Sequence, residues 1–124
     1  MKFITTDKVY NPIGPFSQGT VVGNMAFISG IGGLEMDGKA ASLDVEQQTR
    51  KAMENCKHIL EAGGFTFKDV VKACVYLTDI NDYAKVNAIY AEFMGDHRPA
   101  RICMAVKELP ANEVMKLDLI AVKE

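Results

Sequence analysis

The chain has 124 residues, of which 48% are hydrophobic and 24% charged, a composition typical of one soluble globular domain spanning 1–124. Its net charge of −2 at pH 7 argues against a nucleic-acid binder, because such proteins usually present a basic surface to the phosphates. No apolar run approaches the ~20 residues that cross a bilayer, so we expect no membrane association.

The first half of the chain predicts a β-hairpin followed by a long helix. Two β-rich pieces within 20–30 are separated by Gly23-Asn24, a typical hairpin turn. Asp44, followed three residues later by Gln47, has the pattern of a capping box that begins a helix. Apolar residues then recur at helical spacing until Gly63-Gly64 ends the helix.

The second half predicts a strand, a helix and two more strands. The strand covers 70–77, and the helix follows over about 80–94 with Asp79 as its cap. The last two strands cover 100–106 and 114–122. This order predicts an α/β (α+β) sandwich, in which one mixed sheet carries two helices on one face.

Alternation along the strands separates a helix-covered face from an open face. We assign Ile102 and Met104 to the covered face, and Arg101 to the open face together with Lys116. The residues assigned to the open face are too apolar to meet water alone: Val70, Cys74, Tyr76, Cys103, Ala105, Ile120 and Val122. An exposed apolar face usually marks an interface, so we expect it to contact other subunits.

The cysteines and histidines show no sign of a metal site. Cys56, Cys74 and Cys103 are odd in number and widely spaced, as is typical of free thiols in a reducing cytoplasm. His58 and His97 are the only histidines, and we interpret them as a helix-surface residue and a loop residue. The chain contains no P-loop, dinucleotide-binding glycine pattern, nucleophile elbow or HExxH zinc motif, so we expect no metal and no other cofactor.

Arg101 interrupts the otherwise apolar strand 100–106, on the face assigned to the subunit interface. One interpretation is a salt bridge to an acidic residue across that interface. The other is an anion clamp, because a guanidinium presents paired donors that match a carboxylate. The residue pattern leaves both interpretations open.

Asn87 and the Ser29-Gly30 pair are weaker candidates. Asn87 lies between Tyr83 and Tyr90 on one helix face, where an amide is either a helix-to-loop strut or a ligand contact. Ser29-Gly30 ends a strand and offers a hydroxyl and an unhindered backbone N–H. These groups serve either the turn itself or a ligand.

Several stretches of the chain resemble the Rid family, also called the YjgF or endoribonuclease L-PSP family. They are IGPFSQG (13–19), FISG (27–30), QTRKAMEN (48–55), DVVKACVYLTDINDYAKVNAIY (69–90) and RPARICMAVKELP (98–110), and together they span nearly the whole chain. The resemblance implies a chorismate-mutase-like fold and a homotrimer with three clefts between subunits.

The resemblance also implies an activity, the hydrolysis of reactive enamines and imines such as 2-aminoacrylate to a 2-keto acid and ammonia. Arg101 then matches the family arginine that holds the substrate carboxylate, and we take it as the catalytic residue. Ser29, Gly30, Asn87 and Cys103 match the other substrate-binding residues of the cleft.

Two positions of the expected cleft depart from the family pattern. Phe16 stands where the family has a tyrosine, which keeps the ring and removes the hydroxyl. Lys116, fifteen residues after Arg101, stands where active deaminases carry a glutamate that positions the attacking water. We expect both side chains to contact substrate, with Lys116 as a second cation near Arg101 and Asp118 as a partial replacement for the carboxylate.

Three functions remain open from the sequence. The first is a Rid-type 2-iminobutanoate/2-iminopropanoate deaminase, weakened by the loss of the glutamate. The second is a non-catalytic trimer that binds small carboxylates or regulates another protein. The third is an endoribonuclease or translation inhibitor of the L-PSP type, which the acidic balance and the absence of a basic aromatic platform support least.

Overall fold

The computed structural model describes all 124 residues, which form a six-stranded sheet with two α-helices on one face. The elements are β1 (Lys2–Ile4), β2 (Gly19–Val22), β3 (Met25–Gly32), α1 (Val45–Ala62), β4 (Val70–Leu77), α2 (Tyr83–Met94), β5 (Ala100–Ala105) and β6 (Met115–Val122). The strand order is β1-β2-β3-β6-β4-β5, and only the β4–β5 pair is parallel. The predicted fold class is confirmed.

Helix α1 begins at its predicted cap, whereas α2 begins one short 3₁₀ turn after the predicted cap. Asp44 accepts a hydrogen bond from the backbone N–H of Gln47 at 3.0 Å, which satisfies one free donor of the first turn of α1. Asp79 caps a short 3₁₀ turn over Ile80–Asp82, so the α-helix that follows starts at Tyr83, three residues later than predicted. Neither helix is long and apolar enough to cross a bilayer.

The core lies between the helices and the covered face of the sheet. Each large apolar side chain buried there contributes about 1.5–3 kcal/mol relative to an exposed one. The strand and helix residues that form this layer include Ala73, Val75, Leu77, Met115, Leu117, Leu119, Met53, Cys56, Ile59, Leu60, Val86 and Tyr90.

Two buried amides fix the strand ends that carry the candidate site. Asn55 on α1 donates to the carbonyls of Gly32 and Leu34 at 3.0 and 3.1 Å. Gln48, about two helical turns earlier, accepts a hydrogen bond from the N–H of Val114 at 2.8 Å. The end of β3 and the start of β6 are therefore held against the same helix.

The structure places the two faces of β5 opposite to the prediction. Arg101 pairs with Ala73, whose side chain is buried beneath the helices. Arg101, and with it Cys103, therefore lies on the covered side of the sheet, whereas Ile102 and Met104 are exposed on the open side. Alternation shows which residues of a strand share a face, but it does not show which face the helices cover. In this edge strand both faces are partly exposed, so the more apolar face was not the one beneath the helices.

The open face is apolar, as predicted, but some of the residues on it differ from those predicted. Val70 is buried because the pairing of β4 with β6 shifts between Val70 and Lys72, and Ala105 lies on the covered side with Cys103. The exposed and half-buried apolar residues of the open face are Phe27, Cys74, Tyr76, Ile102, Met104, Ile120 and Val122.

Candidate active site

Arg101 lies on the edge strand β5, and α2 holds its guanidinium in place. Nη2 donates to Oδ1 of Asn87 at 2.7 Å and to the hydroxyl of Tyr83 at 3.3 Å. Cζ lies 4.8 Å from the ring centroid of Tyr90, within the range of a cation–π contact. These three partners are neutral, so they orient the guanidinium without neutralising its charge.

A cavity of about 260 Å³ lies beside this guanidinium. Its lining residues are Asn87, Tyr90, Ala91, Arg98, Pro99 and Arg101, none of which is acidic. Arg101 forms no salt bridge, and its Nε and Nη1 make no hydrogen bond within the chain. Those two nitrogens keep their N–H donors free for an anionic ligand such as a carboxylate.

Two other side chains of this region have assignable roles. Asn87 is a strut between α2 and β5, and its acceptor is what fixes Arg101. Cys103 lies two residues further along β5 on the same side of the sheet, half-buried. Burial raises the pKa of the Cys103 thiol despite the opposing effect of Arg101, so this cysteine remains a protonated thiol at neutral pH.

A second group of candidate residues lies around a bulge in β3. Ser29 donates from Oγ to the carbonyl of Ser17 at 2.6 Å, which ties the preceding loop to the strand. A Cβ on Gly30 would lie 3.3 Å from Cδ of Lys116, so the lysine stem crosses directly over this glycine. Phe16 stands in the adjoining loop with its side chain 45% exposed.

Lys116 is paired within its own chain. Its Nζ lies 3.0 Å from Oε2 of Glu113, whose side chain is completely buried. Burial raises the pKa of Glu113, and the ammonium of Lys116 acts in the opposite direction. The sequence interpretation missed Glu113, although an acidic residue three positions before the lysine was a usable signal.

Arg101 and Lys116 do not lie together within one chain, and the prediction that both project from the same face of the sheet is wrong. They project from opposite faces of the sheet, and β4 separates their strands. Their positions differ by two strand spacings and by three residues along β4, or roughly 14 Å. Asp118 shares the face of Lys116, where Oδ2 accepts from the hydroxyl of Tyr76 at 2.8 Å.

The remaining titratable residues do not converge on a metal site. No group of three or more His, Cys, Asp or Glu side chains is placed to hold an ion. The ring Nε2 of His97 lies 2.6 Å from the carbonyl of Val70, where it braces the loop before β5.

Comparison with known proteins identifies the family. The model of the endoribonuclease L-PSP family matches residues 6–123. A RutC family protein of Pyrococcus horikoshii is 43% identical over 98% of this chain and 97% of its own length. The chain belongs to the endoribonuclease L-PSP family, also called the Rid or YjgF family. Another member, the 2-iminobutanoate/2-iminopropanoate deaminase of Salmonella typhimurium, is 38% identical over 98% of both chains.

Solved Rid structures have the same fold. A Thermotoga maritima protein described as a candidate endoribonuclease is 46% identical and superposes with a TM-score of 0.95, covering 100% of this chain and 98% of its own. TdcF of Escherichia coli, crystallised with bound serine, is 35% identical with a TM-score of 0.94 over 100% of both chains. The Rid resemblance of the sequence is therefore confirmed.

Proposed function

We propose that this protein is an imine deaminase that hydrolyses small 2-imino acids, such as 2-iminobutanoate and 2-iminopropanoate, to 2-keto acids and ammonia. The observation that carries the proposal is the Arg101 guanidinium, which neutral partners hold with Nε and Nη1 free above a cavity without carboxylates. The relative from Salmonella typhimurium, which is named for this reaction, supports it.

We also propose that the protein acts as a cytoplasmic homotrimer whose clefts form between subunits. In each cleft, Arg101 of one subunit would face Ser29, Gly30 and Lys116 of the next. The separation of these groups within one chain supports a composite site. The apolar open face supports burial against another copy, because a patch of this kind is costly to leave in water.

The reaction needs a fixed carboxylate and a water molecule. The substrate carboxylate accepts charge-assisted hydrogen bonds from Arg101, each worth about 1.5–3 kcal/mol. A water oxygen then bonds to C2 as the C=N π pair moves to nitrogen, and a proton of that water passes to the same nitrogen to give a carbinolamine. The carbinolamine loses ammonia when its C–N bond breaks with the electron pair going to nitrogen, and the hydroxyl proton passes to that nitrogen as the carbonyl of the 2-keto acid forms.

The residues at 16 and 116 make this a slow deaminase. An ammonium donates hydrogen bonds and cannot take a proton from water, so Lys116 does not replace a glutamate as a base. Loss of a positioned acid–base group typically lowers a rate by about 10²–10⁴-fold. Phe16 keeps an aromatic ring beside the cleft but offers no hydroxyl.

Lys116 also favours a second candidate function, a non-catalytic trimer that binds small carboxylates.

Ammonia release from freshly generated 2-iminobutanoate distinguishes the deaminase from the non-catalytic binder. The proposal expects acceleration above the uncatalysed rate, lost in Arg101→Ala, from a particle of about three times 13.6 kDa by light scattering. Binding of 2-oxobutanoate without acceleration would favour the binder, and a stable monomer would contradict the composite cleft. RNA cleavage that depends on this chain would favour the endoribonuclease.

A further inference from the structure

The carboxylate of Glu113 is the most deeply buried charged group near the candidate cleft. Its side chain has no exposed surface, and that of Lys116 is only 17% exposed. Apart from the ion pair with Lys116, neither carboxylate oxygen has a hydrogen-bond partner within the chain. By contrast, the Lys51–Glu35 and Arg50–Glu92 ion pairs lie on the surface of the molecule.

Two glycines make room for this buried pair. A Cβ on Gly32 would lie 2.0 Å from Oε1 of Glu113, a separation that no real side chain occupies. A Cβ on Gly30 would press on the stem of Lys116. The backbone of β3 thus forms a floor without side chains, across which Lys116 reaches from the Gly30 bulge to the buried carboxylate.

A gain in the stability of the folded state does not explain why the Glu113–Lys116 ion pair is buried. Taking two charges out of water costs several kcal/mol, and a pair with unsatisfied oxygens recovers that cost incompletely. The raised pKa of Glu113 agrees, because it shows that the fold disfavours the ionised carboxylate despite the adjacent ammonium. A buried titratable group that destabilises the fold is often part of a functional site.

We propose that Glu113 is a positioning residue that holds Lys116 as the proton donor for ammonia release. This inference rests on the proposed deaminase function and refines it. With its Nζ held 3.0 Å from Oε2 of Glu113, the ammonium is fixed beside Gly30 and keeps its N–H donors for the cleft. The pair is also neutral overall, so the net positive charge of the cleft comes from its arginine end, where Arg101 and Arg98 line the cavity.

The proton donor acts after water has added to C2. The C–N bond of the carbinolamine breaks with its electron pair passing to nitrogen, which takes a proton from Nζ and leaves as ammonia. The carbinol O–H then gives its proton to Nζ as the carbonyl forms, so Lys116 ends the cycle as it began. A general acid of this kind typically contributes about 10²–10⁴-fold.

The test compares Glu113→Gln with Glu35→Gln, which removes the carboxylate of a surface ion pair. Two quantities are measured: ammonia release from 2-iminobutanoate, and the affinity for 2-oxobutanoate and 2-oxoglutarate. We expect Glu113→Gln to release ammonia at least about 10-fold more slowly and to bind the dicarboxylate several-fold more tightly, because the freed ammonium adds a charge to the cleft. Glu35→Gln should match the parent in both.

A pH profile separates positioning from a structural effect. The rates of the parent and of Glu113→Gln should converge as the pH falls through the raised pKa of Glu113, since the parent then carries a neutral side chain too. Lys116 and Tyr10 are the titratable groups facing Glu113, and burial raises the pKa of Tyr10 to about 12, outside this range. Glu113→Asp, which keeps the charge but shortens the reach, should be intermediate in rate.

The inference is overturned if Glu113→Gln retains the parent's rate and its preference between the two keto acids. If that variant does not fold, Glu113→Asp decides: a rate and pH profile equal to the parent's would also overturn it. Failure of the proposed function looks different, because the parent itself would then release no ammonia. The shift in keto-acid preference would still report whether Glu113 holds Lys116.

Discussion

Arg101 and Lys116 are both cations that project from one sheet, but they have opposite kinds of partner. The guanidinium of Arg101 is held by an amide, a hydroxyl and an aromatic face, all neutral. The ammonium of Lys116 is held by a buried carboxylate. The first therefore keeps its charge for a ligand, and the second forms an ion pair with no net charge.

The difference shows that residue type alone does not determine the charge of a cleft. The sequence led us to expect Lys116 as a second, unpaired cation near Arg101. Because Lys116 is paired with Glu113, we instead expect a weaker affinity for dianions than two unpaired cations would give. Changing the partners should therefore alter the two ends of the cleft in opposite ways.

The largest effect is expected from removing the unpaired cation. Arg101→Ala should lower kcat/KM for 2-iminobutanoate and the affinity for 2-oxobutanoate by about 100-fold or more, because two charge-assisted hydrogen bonds are lost. Arg101→Lys should recover little, since an ammonium does not present the paired donors. Calorimetric titration measures the affinity, and Arg50→Ala, which breaks a surface ion pair, is the control. Equal binding by Arg101→Ala and the parent would rule out the clamp.

Replacing Lys116 with a second carboxylate should lower the stability of the fold. Lys116→Glu places two carboxylates a few ångströms apart, a repulsion of about 2–3 kcal/mol at 6 Å and an effective dielectric of 20. We expect a lower Tm at pH 8 than at pH 5, measured by thermal melting. Adding Glu113→Gln should relieve the repulsion and restore the Tm at pH 8. A Tm of Lys116→Glu that does not change between pH 5 and pH 8 would contradict this.

Asn87→Asp should give Arg101 a carboxylate partner, as Lys116 already has in Glu113. A carboxylate at the 2.7 Å contact with Arg101 would neutralise the guanidinium, and we expect the affinity for 2-oxobutanoate to fall by about 10-fold. Asn87→Ala, which removes the strut without adding charge, should have a smaller effect. Both affinities come from the same titration, and the reverse order would show that orientation matters more than charge.

The smallest effect concerns stability and pH. Because folding raises the pKa of Glu113, the folded protein binds this proton more tightly than the unfolded chain. The contribution of Glu113 to the free energy of unfolding should therefore fall as the pH rises from the ordinary carboxyl range through the raised pKa. Urea unfolding at several pH values should show this slope in the parent and a shallower one in Glu113→Gln. A steeper slope in the variant would mean that the pKa is not raised.

The sequence predicted the elements whose signals are local. The capped helix α1, the hairpin at Gly23-Asn24 and the strand Val70–Leu77 were predicted to within about a residue, since caps, turns and apolar runs are short-range features. Strand β1 was missed because its three residues carry too little pattern.

The faces of the edge strand and the Glu113 contact depend on tertiary packing. Which side of β5 faces α2 is decided by its parallel pairing with β4, and alternation does not specify that choice. Glu113 precedes β6 in a loop, where an acidic residue is usually solvated, and only the absence of a side chain at Gly32 lets it be buried. Arg101 and Asn87 were recognised from the sequence, but their direct contact was not.

Mixed trimers test directly whether each cleft combines Arg101 of one subunit with Lys116 of another. Arg101→Ala and Lys116→Met chains, each nearly inactive alone, are unfolded together and refolded as an equimolar mixture. Random assembly would give a complete pair of residues in about a quarter of the clefts, so the account predicts recovery of about a quarter of the parent's rate of ammonia release. A mixture no more active than the average of the two variants, in trimers shown by mass spectrometry to contain both chains, would contradict the composite cleft.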